Sequence, residues 1–226
     1  MPNYLAIVFS FLGFFGYVFL FIIERIDFNK TGAKKYSFLR FFPFELNRFK
    51  RYQKSSYIYA IANVACGLFL TLPYLVFATQ AENGSNLNAN YILFAASLIP
   101  IISFIFLSFV KMTAYRFHIA LDSSIAFGNI LLLVLMVLFF GNNKIVDYGL
   151  KSRVQIAITV ILLLLLLFQA FLIVNPSYKR WAEIEKYDAT SDSYTRPKYS
   201  YLCILEWGSL LNYILMLSII FLALYF

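Results

Sequence analysis

Three side chains capable of proton or cation chemistry stand where apolar segments begin: His118, Asp122 and Glu206. His118 and Asp122 are four residues apart, so on a continuous helix they share a face. A histidine titrates near neutral pH, and beside carboxylates it can exchange a proton or meet a cation. The competing reading pairs Asp122 and Glu206 with Arg116, Arg196 or Lys198 at headgroup level, where ionic side chains commonly anchor helix ends. The three come from distant segments without a recognised ligand spacing, so neither a metal nor a cofactor is expected from them. Ser123 and Ser124 lie close enough in sequence to His118 and Asp122 to suggest a hydrolase triad, which geometry alone identifies. The chain has one histidine. It contains no GxSxG, HExxH, paired aspartate or nucleotide-binding glycine pattern. Cys66 falls deep in an apolar run, away from His118, which disfavours a cysteine–histidine dyad. No catalytic residue is expected.

A second set of polar residues interrupts otherwise apolar runs. Asn63, Asn129, Gln169 and Asn212 each lie inside one, and Pro100 falls mid-run ahead of Ser103 and Ser108. Pro100, Asn129 and Gln169 define a candidate intramembrane polar path. More often such amides hydrogen-bond between helices, at an average of about 0.6 kcal/mol, and proline kinks are ordinary in membrane helices.

A third set is basic and amphipathic. Pro43 suits a first helical turn. Phe42, Leu46 and Phe49 then share one face, and Arg48, Lys50 and Arg51 point elsewhere, with Arg40 just upstream. Asn175–Pro176 opens a similar segment, in which Tyr178, Trp181, Ile184 and Tyr187 recur every third residue beside Lys179 and Arg180. Both read as short helices lying in the membrane interface. Arg40, Arg48, Lys50, Arg51, Lys179, Arg180 and Trp181 are candidate docking residues for anionic lipid, at about 1 kcal/mol per basic residue, or for a protein partner. The simpler alternative is that these charges only fix topology.

These residues must be positioned by elements that lipid, not water, surrounds. Apolar residues make up 62% of the 226 and charged residues 13%, against about 45–50% and about 25% in soluble domains. Such a chain cannot cover a water-facing surface. Its 26 Phe and 17 Tyr suit lipid contact and interface anchoring. The net charge of +8 therefore reflects membrane orientation, and no nucleic-acid partner is expected. Cys66 and Cys203 form no CxxC or other ligand pattern.

A spanning helix needs about 20 mostly apolar residues. Six segments qualify: 4–23, 57–79, 91–110, 121–140, 154–174 and 201–226. The fourth and sixth require Asp122 and Glu206 to sit at the membrane rim. The first lacks a basic start and a small-residue cleavage site, so it reads as a retained helix, not a signal peptide. The stretch 81–90 reads as a polar loop turning at Asn83–Gly84, and Asn83-Gly84-Ser85 also forms a weak glycosylation sequon.

The connections 24–56, 111–123 and 175–200 carry nine, two and five Lys/Arg, and the other two carry none and three. One side thus holds 16 of the 19 basic residues. The positive-inside rule makes that side cytoplasmic and both termini non-cytoplasmic. The expectation is an all-α polytopic membrane protein, one six-helix domain over 1–226, multi-pass in a membrane the sequence does not specify. Three function classes are compatible with it. A non-catalytic subunit, meaning a scaffold, accessory or assembly partner in a membrane complex that docks lipid or protein through its basic loops, ranks first. A small-solute transporter or channel ranks second, and a membrane-embedded enzyme acting on lipid ranks third.

Overall fold

In lipid every backbone N–H and C=O must be satisfied within its own segment, so apolar runs of this length fold as helices. The computed structural model describes residues 3–31, 37–39, 56–80, 84–109, 115–142, 152–176 and 199–225. Among them are six helices: α1 (Asn3–Thr31), α2 (Ser56–Gln80), α3 (Gly84–Phe109), α4 (Tyr115–Gly141), α5 (Ser152–Val174) and α6 (Tyr201–Tyr225). Five are long and apolar enough to cross a bilayer; α2 contributes the shorter apolar stretch Ile61–Val76. Among the described residues every regular element is a helix, and the five apolar ones suggest a multi-pass integral membrane protein.

Cross-helix contacts fix the arrangement. Glu24 meets Asn63, Ser103 meets Ser124, His118 meets Glu206, and Tyr201 meets Leu172. The first, second and fourth of these pairs join the end of one helix to the beginning of the next, so those neighbours run antiparallel, whereas His118–Glu206 joins the beginnings of α4 and α6, which run parallel. The end at which α1, α3 and α5 finish and α2, α4 and α6 begin is termed basal. Neighbours in sequence pack together from α1 through α6, and α6 also contacts α1, α2 and α4. Its position is central: 78% of its apolar span is buried, against 22% for α1 and α5. The exposed faces of those two outer helices are apolar, including Phe11, Phe15 and Phe19 on α1 and Leu164, Leu167 and Phe171 on α5. Lipid is the solvent that such faces fit.

The upper core is closed by large side chains. Leu70, Tyr74, Leu93, Leu132, Leu133, Met136, Leu162, Tyr213 and Leu217 are buried in one cluster contributed by α2 to α6. At the basal end Ser200 caps α6, its hydroxyl accepting from the Cys203 amide at 3.3 Å, as an N-cap residue does. The Ser200 amide in turn donates to the Leu39 carbonyl at 2.7 Å. That bond draws the segment 37–39 against α6, where Phe38 packs edge-on to Trp207 with ring centroids 4.8 Å apart.

Two boundaries differ from the sequence reading. α1 continues past Glu24 to Thr31, and α3 starts at Gly84, so most of the expected 81–90 loop is helical. Hydropathy marks where a chain leaves hydrocarbon, whereas a helix ends only where its hydrogen bonding stops. The segments expected to form the two interfacial helices lie outside the described residues, as do Arg40, Arg48, Lys50, Arg51, Lys179, Arg180, Trp181 and Asn83.

Candidate functional site

The inward face of α4 carries the site. His118, Asp122, Ile125, Asn129, Leu132, Met136 and Phe140 are buried at steps of three or four residues, one stripe of a 3.6-residue helix. Phe117, Phe127, Leu131 and Leu138 on the other side are exposed. The stripe is polar at its basal end and apolar above.

Its lower layer joins α4 to α6. Nε2 of His118 lies 2.8 Å from Oε1 of Glu206 and 3.5 Å from Oδ2 of Asp122. All three residues are only 2% exposed. The sequence reading left two options for this trio, mutual approach or pairing of the carboxylates with Arg116, Arg196 or Lys198. The structure brings the three together; Arg116 is exposed, and Arg196 and Lys198 lie outside the described residues. Both carboxylates are buried between helices near the beginnings of α4 and α6, with Trp207 and Phe38 beside the Glu206 turn of α6. Ser124, considered above as a nucleophile, instead faces α3, its Oγ 3.0 Å from that of Ser103.

Seven residues further along α4, about 10 Å by helical rise, lies a layer of amides. Asn129 Nδ2 donates to the Ser209 carbonyl at 2.8 Å and reaches Gln169 Oε1 at 3.5 Å. Gln169 Nε2 donates to Ser209 Oγ at 3.0 Å. Asn212 Nδ2 donates to Gln169 Oε1 at 2.9 Å and to the Leu165 carbonyl at 3.2 Å. Three helices are thereby tied at one level, with Gln169 as the shared partner. Pro100, the third residue of the expected polar path, is buried at the α3–α4 contact. It packs on Gly128, where an added Cβ would come within 3.2 Å of the proline ring and 2.9 Å of Ile99 Cγ2.

A buried carboxylate that the sequence reading treated only as a span boundary completes the set. Glu24 is 1% exposed, and its Oε1 accepts from Asn63 Nδ2 at 2.8 Å, linking α1 to α2. The signal was present. Ala6, Ser10, Gly13, Tyr17 and Glu24 are all buried and recur at helical spacing, the small-and-polar stripe by which membrane helices pack. Arg25 turns the other way, its guanidinium 5.8 Å from the Phe38 ring centroid.

Chemically, the basal layer can hold a proton or a cation between an imidazole and two carboxylates, and the amide layer can hold helices in register. Comparison with known protein families, with curated proteins and with solved structures yields no match.

Proposed function

We propose that this chain is a non-catalytic integral membrane subunit, crossing the bilayer six times with its basal end in the cytoplasm, and that it docks a partner protein or anionic lipid through its basic connections. The observation that carries this reading is the amide layer. The buried side chains of Asn129, Gln169 and Asn212 hydrogen-bond with one another and with Ser209 and Leu165. A conduction path presents such groups to a solute, whereas a rigid platform uses them to fix helix positions. The closed cluster above them, from Leu132 and Met136 to Tyr213, supports the same reading. The basal connections contain 16 of the 19 Lys/Arg, the side on which a cytoplasmic partner or anionic headgroups would engage.

The test is native purification from the membrane in mild detergent, with mass spectrometry of proteins and lipids. A stoichiometric partner or a retained anionic lipid is expected. The triple change Arg48→Ala, Lys50→Ala and Arg51→Ala should release it and leave the helical content unchanged. A lone, lipid-independent chain that moves a solute across reconstituted vesicles would overturn the proposal. It would favour the second reading, a small-solute transporter, for which the specific support is the buried His118, Asp122 and Glu206 layer, since ionisable groups inside a membrane bundle commonly mark ion pathways.

A further inference from the structure

We propose that His118, Asp122 and Glu206 together bind one divalent transition-metal ion of the zinc, manganese or iron class. In sequence the argument against a metal is distance, with two ligands on one segment and the third 84 residues beyond Asp122. Folding removes it. Each residue offers one ligand atom, and the three atoms lie within 4.8 Å of one another. His118 and Asp122 occupy positions i and i+4 of α4, the spacing by which a single helix offers two ligands to one ion. Glu206 supplies the third from α6, the facing helix, as in metal sites built into bundle cores.

The distances suit an ion. With metal–ligand bonds of about 2.1 Å, two ligand atoms of a tetrahedral centre stand about 3.4 Å apart. Nε2 of His118 is already 3.5 Å from Asp122 Oδ2 and must open from 2.8 Å to admit the ion beside Glu206 Oε1. For that edge the adjustment is roughly half an ångström, and the two carboxylate oxygens, which stand within 4.8 Å of each other, would close toward about 3.4 Å. Donor chemistry narrows the metal. One imidazole with two carboxylates matches zinc, manganese or ferrous iron better than a soft ion that selects thiolates, and the nitrogen ligand disfavours calcium and magnesium. Placed there, the ion would cross-link α4 to the central helix one layer below the amides, with three protein ligands and a fourth position left to water or another group. The inference does not depend on the subunit reading, because it concerns only these three side chains.

The experiment uses the full chain in detergent, stripped with EDTA and titrated separately with Zn2+, Mn2+ and Co2+. The wild type is expected to bind about one equivalent of at least one of these ions, to gain thermal stability on binding, and to show the visible absorption of coordinated Co2+. Glu206→Gln and Asp122→Asn keep side-chain shape and should weaken binding at least tenfold; His118→Ala should abolish it. Should His118→Ala fail to fold, the two conservative variants and the wild-type chelation cycle still decide. Less than a tenth of an equivalent bound by folded wild type with each ion, or equal binding by wild type and Glu206→Gln, would overturn the proposal.

Discussion

At the scale of single residues, the two that matter most for packing interrupt apolar runs in different ways. Gln169 stands after a run of leucines and looks in sequence like a candidate lining residue. In the fold it receives from Asn212 and donates to Ser209, both on α6, and its Oε1 lies 3.5 Å from Asn129 Nδ2 on α4, so it serves both neighbours of α5. Replacing it with leucine keeps the volume and removes the partner of both. At an average of about 0.6 kcal/mol per interhelical bond, Gln169→Leu should destabilise the bundle by about 1–2 kcal/mol, read as a lower midpoint in detergent unfolding. An unchanged midpoint would show that the amide layer does not hold the helices. Glu24 illustrates the opposite error. It follows an apolar run and precedes Arg25, and two adjacent charges look like a helix end. Neighbouring helical residues point about 100° apart, so one continuous helix can bury Glu24 against Asn63 and expose Arg25. Hydropathy sums both residues and cannot separate them; the periodicity of Ala6, Ser10, Gly13 and Tyr17 does.

At the scale of elements, the existence of the helices was legible and their contacts were only partly so. Length and apolarity mark them because the backbone constraint in lipid is local. Which helix lies at the centre is not local. α6 and α5 are both strongly apolar, yet α6 is the buried one, and its small and polar positions, Gly208, Ser209 and Asn212, are what admit close neighbours. Likewise, the i, i+4 pair of His118 and Asp122 was readable along one helix, whereas its meeting with Glu206 depends on how α4 and α6 pack. Without a hydrophobic drive between helices in lipid, close approach at small residues carries much of this packing. The α3–α4 contact is the sharpest case. Gly128 faces the ring of Pro100 and the branched Ile99, both stiff, so an added side chain cannot be absorbed by one flexible tip. Gly128→Leu should separate α3 from α4 and cost about 1–3 kcal/mol, the usual range for overpacking. Gly141→Leu is the control: an added Cβ there would make ordinary contact with Thr159, at 3.4 Å. A thermal-shift comparison of the two checks this, and equal midpoints would contradict the proposed packing role of Gly128.

For the whole molecule, orientation follows from charge, and charge can be tested because the native thiols are hidden. Cys66 and Cys203 are both buried and neither is in a disulfide, so a membrane-impermeant maleimide should label the parent chain weakly. Single exposed positions then report each side. Asn142 stands at the end of α4 opposite the basal layer, and Leu39 and Tyr199 stand at the basal end. If the basal connections, with most of the Lys/Arg, face the cytoplasm, Asn142→Cys should label in intact cells. Leu39→Cys and Tyr199→Cys should label only after permeabilisation. The reverse pattern would invert the protein and turn the His118, Asp122 and Glu206 layer to the opposite compartment. That matters for chemistry as well as topology, because the basal face determines which pool of metal ions or protons the layer meets. It also determines which side could supply a partner to the basic connections. One labelling pattern therefore constrains both proposals through a single geometric fact: Glu206 and the segment 37–39 lie at the same end of α6.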